Sequence, residues 1–279
     1  MSQSSAITPL KFKDYKSDTK PIWCPGCGDF AVLNAITKAL AQLQLPLQNV
    51  ALISGIGCSS RIAAYTSVYG FHGVHGRALP LATGLKAARG DMTVLVAGGD
   101  GDGLSIGGNH FIHACRRNMD LTYIMMDNEV YGMTKGQASP TTAHDWENSK
   151  LTPEGTGVRS FNPAALALAS GASFIARGFS GDPNDLARIV AAGIEHKGFS
   201  FIQALSVCPT YRPEHVQWKS MVRKFETEKT EDPMAAIRHI VADDGMSTGI
   251  MYQRDIPSLE RVGASQVGTL AEFESEFEL

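Results

Sequence analysis

The residues with most chemistry in this chain are its cysteines, Cys24, Cys27, Cys58, Cys115 and Cys208, and a glycine-rich run, "VAGGDGDGLSIGGNHF". Cys24 and Cys27 stand three positions apart in "WCPGCG". Such a pair can hold a metal, close a disulfide or carry electrons, and in a reducing compartment the metal and redox readings lead. In the second run, Gly98, Gly99, Gly101 and Gly103 allow close approach of a ligand. The helix expected to follow would offer free N–H groups to a diphosphate. Asp100 would repel that diphosphate unless a cation lay between them, so it makes sense as a Mg2+ ligand; the plainer alternative is an N-cap in a glycine-rich turn.

The elements that must position these groups read as alternating strands and helices, an α/β fold with a parallel sheet. Buried strands are expected at 49–54, 91–98, 120–127, 173–178 and 200–207, and helices at 29–43, 78–88, 102–117, 182–196 and 231–244. The strand at 120–127 runs into Asn128, about one helix and one strand after Gly101. In a parallel sheet that separation returns the chain to the edge where open α/β sheets bind ligands, so Asp100 and Asn128 can reach one ion. The segment 128–161 is a long loop rich in Gly, Thr, Ser and Pro, a length that is usually functional. Residues 1–244 read as one domain, and 245–279 as a tail ending in "AEFESEFEL" that could pack on a partner.

Composition narrows the function classes. The 279 residues are 43% hydrophobic with a formal net charge of −3, which gives no broad basic surface for nucleic acid or anionic membrane. No apolar run is long enough to cross a bilayer and no signal peptide opens the chain, so a cytoplasmic location is expected. Cys115 falls inside an expected helix and reads as a small apolar core residue. The other four cysteines fall at loops or strand ends, with one close pair and two single positions. Zinc would accept four thiolates but more often takes two close pairs, whereas a [4Fe-4S] cluster accepts dispersed ligands.

The Gly-Asp-Gly run followed by Asn128 resembles the signature of thiamine diphosphate enzymes. By that resemblance Asp100, Asn128 and the carbonyl of Val130 would hold Mg2+. Taken with "WCPGCGDF", "SGIGCSSR", "HGVHGRALPLATGLK", "DNEVYGMTKGQASPT" and "VCPTY", the chain resembles the thiamine-binding β subunit of 2-oxoacid:ferredoxin oxidoreductases from about Lys20 to Tyr211. Within that family it is most similar to the 2-oxoglutarate type. The resemblance implies a thiamine diphosphate-binding domain with a loop-bound [4Fe-4S] cluster on Cys24, Cys27, Cys58 and Cys208. It implies that Ile56, Gly57, Cys58 and Ser59 line the thiamine, and that Gly99, Gly101 and Asp102 follow the diphosphate. Gly132 and Met133 would close the site, with His75 near the thiazolium. Arg61 suits the distal carboxylate of 2-oxoglutarate, and Lys135 faces either that cavity or coenzyme A. The chain has no second α/β domain to supply the glutamate that thiamine requires, so an α subunit is expected, in αβ or (αβ)2, with ferredoxin as acceptor. The competing readings are a pyruvate-specific β subunit, a non-redox thiamine decarboxylase or transferase stapled by zinc, and a zinc-bound scaffold.

Overall fold

The computed structural model describes residues 9–147, 151–225 and 229–259. Eight strands form one sheet: β1 (Val50–Ser54), β2 (Tyr69–His72), β3 (Thr93–Gly99), β4 (Leu121–Asp127), β5 (Phe174–Phe179), β6 (Phe199–Leu205), β7 (Arg223–Lys224) and β8 (Ser247–Gln253). Their order is β2-β1-β3-β4-β6-β5-β8-β7. Neighbours from β2 through β5 pair parallel, whereas β8 runs antiparallel to β5 and carries β7 parallel to itself.

The central strands are apolar on both faces because both are covered. Along β3 and β4, Leu95, Ala97, Ile124 and Met126 point to one core, and Val94, Val96, Tyr123 and Met125 to the other. Helices α1 (Asp29–Gln42) and α6 (Pro183–Glu195) cover the first face through Val32, Ile36, Leu40, Leu186 and Val190. Helices α2 (Ala78–Ala88), α4 (Gly108–Arg117), α5 (Pro163–Ala169) and α8 (Pro233–Ala242) cover the second through Leu79, Phe111, Ala164 and Ile240. Three of these helices begin on an Asn or Asp followed by Pro. Asn162, Asp182 and Asp232 each accept an amide at 2.9–3.1 Å, and the proline fills the first helical position, where no N–H is needed.

The five expected strands and four of the five expected helices form within a few residues of their expected bounds. The helix expected at 102–117 is two: α3 (Asp100–Leu104) and α4, broken at Ser105, where ψ is −105°. The Gly76 turn packs against this break, close enough that a Cβ on Gly76 would meet the Gly107 amide nitrogen at 2.6 Å. Strand β8, which pairs with β5 and with the short β7, comes from the stretch set apart from residue 245, so part of that stretch belongs to the sheet. The rest of it, 260–279, lies outside the described residues. The helix α7 (Trp218–Met221) completes the set.

One buried ion pair ties β8 to the sheet. Arg177 of β5, 1% exposed, donates from Nη1 to Asp243 Oδ2 at 2.6 Å and to the Ser247 carbonyl at 3.1 Å. Removing one partner of a buried pair leaves the other charge uncompensated. Asp243→Ala is therefore expected to destabilise the protein by about 3–5 kcal/mol, read as a lower urea midpoint with the slope unchanged.

Candidate functional site

Parallel pairing brings the C-terminal ends of β1, β3, β4 and β6 side by side, and each runs straight into a loop carrying expected site residues. The strand order reverses between β1 and β3, the position where ligands of open α/β sheets bind. A cavity of about 150 Å3 lies there. From the β1 loop it is lined by Ile56, Gly57, Cys58 and Ser59, and from the turn after β2 by His75. The β3–α3 junction gives Gly99, Asp100, Gly101 and Asp102; the loop after β4 gives Asn128, Val130, Gly132 and Met133. Tyr131 and Thr134 also line it, and Tyr131 donates its hydroxyl to the Gly101 carbonyl at 3.3 Å.

Asp102 holds these loops together. Its Oδ1 accepts the Ile56 amide at 3.0 Å and the Gly76 amide at 2.8 Å, and pairs with His75 Nδ1 at 2.8 Å. Gly55 must be glycine for this to happen, since a Cβ there would collide with the Asp102 carboxylate. The side chain of Asp102 thus faces the protein's own loops.

Asp100 is 1% exposed, and Thr141 Oγ1 lies 2.7 Å from its Oδ2 and 2.8 Å from Asp127 Oδ1. Gln203 Nε2 donates to the other oxygen of Asp127 at 2.7 Å. Burial raises the pKa of Asp100 and of Asp127, and neighbouring carboxylates, Glu129 among them, raise both further. A cluster of buried acids with hydroxyl and amide partners fits a divalent cation, whose charge would reverse those shifts. Beyond Asp127, Asn128 Oδ1 accepts the Val130 amide at 3.1 Å. Between them Glu129 takes φ +53°, in the left-handed region.

A second cavity, about 310 Å3, is lined by Cys24, Cys27, Cys58 and Cys208. The Cys24–Cys27 turn closes on itself, Cys27 N to the Cys24 carbonyl at 3.0 Å. Gly28 N donates to the Val207 carbonyl at 2.9 Å, which sets the turn beside Cys208, and Trp23 Nε1 donates to the Cys58 carbonyl at 2.7 Å. Burial pushes the thiols of Cys27 and Cys208 up and that of Cys58 to about 11. Among the described residues no three His, Cys, Asp or Glu side chains form a group around a single ion. Cys115 is buried in the core on α4.

Arg61 lines the cysteine cavity and a third one of about 530 Å3, where Lys20 joins it, but does not line the first. Lys135 is exposed at φ +78° and lines none of the three. Sequence reasoning missed Asp127, Thr141, Gln203, Lys20 and Asp29. Only the loop 128–161, marked by its length, pointed toward Thr141.

Residues 55–204 match the family model described as thiamine pyrophosphate enzyme, C-terminal TPP binding domain. Fold, cavity and match together define a thiamine diphosphate-binding α/β domain. The chain is 48% identical over 203 residues to the 2-oxoglutarate oxidoreductase subunit KorB of Mycobacterium tuberculosis, covering 73% of this chain and 54% of that one, about half its length. It is 44% identical over 254 residues to the 2-oxoacid:ferredoxin oxidoreductase 2 β subunit of Aeropyrum pernix, covering 86% and 82%. A 2-oxoglutarate:ferredoxin oxidoreductase from Magnetococcus marinus, solved with 2-oxoglutarate, coenzyme A and succinyl-CoA bound, superposes at a TM-score of 0.87 with 39% identity, covering 96% of this chain and 90% of that one. The chain belongs to the family of 2-oxoacid:ferredoxin oxidoreductase β subunits. Among the described residues no helix is long and apolar enough to cross a membrane.

Two predictions follow from the buried acids. Asp102→Ala orphans the Ile56 and Gly76 amides at about 1–3 kcal/mol each, so both thermal stability and thiamine diphosphate affinity, measured by calorimetry, are expected to fall. Asp29, at the start of α1, accepts from Ser206 Oγ at 2.7 Å, and burial raises its pKa from 3.8 to about 6. The folded state therefore favours the protonated acid, and that advantage is lost as pH rises from 3.8 through about 6. Compared with Asp29→Asn, the wild-type protein is expected to lose about 3 kcal/mol across that window and little beyond it, as read from urea unfolding at several pH values.

Proposed function

We propose that this chain is the β subunit of an enzyme that oxidatively decarboxylates 2-oxoglutarate, giving succinyl-CoA and CO2 with electrons passed through a [4Fe-4S] cluster to ferredoxin. An α subunit completes it, in αβ or (αβ)2, and supplies the glutamate that thiamine needs; the complex is cytoplasmic. The observation that carries the reading is a shared wall: Cys58, Asn128, Gly132 and Met133 line both the cavity beside Asp100 and the cavity of the four cysteines. An electron donor in one and an acceptor in the other would be neighbours with no intervening domain.

When bound, thiamine diphosphate supplies a carbanion that takes up the 2-oxo acid and stabilises the charge left by CO2, and the cluster accepts electrons singly. The rest falls to the chain's own residues. Asp100, Asn128 and the Val130 carbonyl hold Mg2+, and the buried acids around Thr141 support that role. The backbones of Gly99, Gly101, Asp102, Gly132 and Met133 flank the diphosphate, while Ile56, Gly57, Cys58 and Ser59 border the thiamine ring. His75 is held by Asp102 through its Nδ1 at 2.8 Å, which fixes the ring in the cavity wall and leaves Nε2 as its other polar atom. Cys24, Cys27, Cys58 and Cys208 surround a cavity rather than one point, which suits a cluster whose irons each take one thiolate better than a single zinc. Arg61, with Lys20 beside it, gives the adjoining cavity a cationic wall free of lining acids, suited to the distal carboxylate of the substrate.

The test is an oxygen-free αβ complex assayed for iron, zinc and viologen reduction. About four irons per β subunit and faster, coenzyme A-dependent reduction with 2-oxoglutarate than with pyruvate are expected. Arg61→Gln is expected to lower kcat/KM for 2-oxoglutarate by about 10–200-fold and to leave pyruvate turnover nearly unchanged. Zinc without a bleachable chromophore would support the non-redox thiamine reading instead, and a preference for pyruvate would remove the role of Arg61.

A further inference from the structure

The loop that carries Asn128 and Val130 and the segment that carries Cys208 meet at a buried side chain, Arg212. It is 5% exposed, and its amide donates to the Cys208 carbonyl at 2.9 Å. Its guanidinium reaches the other way. Nη1 donates to the Glu129 carbonyl at 2.8 Å, Nη2 pairs with the Glu129 carboxylate at 2.7 Å, and Nε pairs with Glu214 at 2.6 Å. The guanidinium carbon also stacks 4.7 Å from the Trp146 ring centroid. A second route runs through His215, whose Nδ1 accepts the Cys208 amide at 3.3 Å and whose Nε2 lies 3.6 Å from Glu129 Oε2.

What Arg212 grips is the strained residue of the loop. Glu129 has φ +53°, a conformation that long side chains adopt rarely and that persists where surroundings over-determine it. Here the surroundings are Arg212 on both its carbonyl and its carboxylate, with Thr142 Oγ1 donating to the same carbonyl at 2.7 Å. Neither Glu129 nor Arg212 lines the cavities described above, so neither is placed to touch a ligand. The residues on either side of Glu129, Asn128 and Val130, do line the first cavity.

We propose that Arg212 is a positioning residue: by holding Glu129 in its left-handed turn it presents Asn128 and Val130 to the metal, and it ties that turn to the Cys208 segment. The inference rests on the Mg2+–thiamine diphosphate and cluster reading of the site. An arginine is suited to the task because its rigid planar fork holds separate donors for a carbonyl and a carboxylate of one residue, whereas a lysine offers a single nitrogen on a flexible stem.

The experiment measures Mg2+ affinity, in the presence of thiamine diphosphate, by calorimetry on the metal-stripped αβ complex, alongside the EPR spectrum of its dithionite-reduced cluster. Arg212→Gln is expected to weaken Mg2+ binding by about 10–100-fold and to alter the EPR line shape. Adding Glu129→Gly to it is expected to bring Mg2+ affinity back to within about threefold of wild type, because glycine takes positive φ without being held. The EPR change should remain in the double variant, since glycine restores the turn but not the tie to Cys208. Wild-type Mg2+ affinity in Arg212→Gln, a loss that Glu129→Gly fails to rescue, or an unaltered EPR spectrum overturns the proposal. If Arg212→Gln yields no folded complex, Arg212→Lys keeps the charge and must show the same selective loss of Mg2+ affinity; wild-type affinity there overturns it equally. Wild-type complex that binds no thiamine diphosphate with Mg2+ overturns the underlying reading and this inference with it, whereas normal wild-type binding matched by the variants overturns this inference alone.

Discussion

Loops from three strands become one site because a carboxylate carried by one of them accepts from the other two. Asp102 Oδ1 takes the amides of Ile56 and Gly76 and faces His75 Nδ1, so the turn after β1, the turn after β2 and the start of α3 cannot shift independently. Much else follows from that geometry. Gly55 has no room for a side chain, and Gly76 packs against Gly107 where the helix after Asp100 stops and restarts. A buried carboxylate accepting several hydrogen bonds is an inexpensive way to fix loops, since it satisfies amides that would otherwise lie unpaired below the surface.

The electrostatics of the strand ends are set by burial. Asp29, Asp100 and Asp127 are each about 1% exposed, and for each the largest influence is loss of water around the charged form. The Thr141 hydroxyl has one proton and stands within hydrogen-bond distance of two carboxylates, Asp100 and Asp127. It can donate to one of them only, so the other must find a different partner, as Asp127 does in Gln203. Under the proposed function, the acids Asp100 and Asp127 at the ends of neighbouring central strands would find a further partner in a cation.

How much of this was legible follows from where each interaction lies in the sequence. The buried strands were readable because both faces are apolar, giving runs such as "LTYIMMD" with no polar alternation. Strand β2 was not, because it is an exposed edge and its residues carry no burial signal. Strand β8 was missed because it pairs antiparallel through a bulge and contains Gly249, which interrupts its pattern. The helix break at Ser105 was invisible because the Gly76 turn packed against it lies in another loop. Asp100, Asn128 and the four cysteines were found from type and spacing together with the family resemblance, and the structure gathers them at two adjoining cavities. Thr141 and Gln203 could not be found that way, because each acts on a residue from a different part of the chain and neither belongs to a recognisable spacing.

The wall shared by the two cavities has a consequence for how such a protein can diversify. Cys58, Asn128, Gly132 and Met133 each face both spaces, so a substitution at any of them is felt on both sides at once. Residues with that double exposure have little freedom to drift. The third cavity is different: Lys20, Ala64 and His72 line it and neither of the others. Under the proposed function, lineages that change which acid they accept would do so from that outer rim, with the inner wall left as the inherited and slowly varying part.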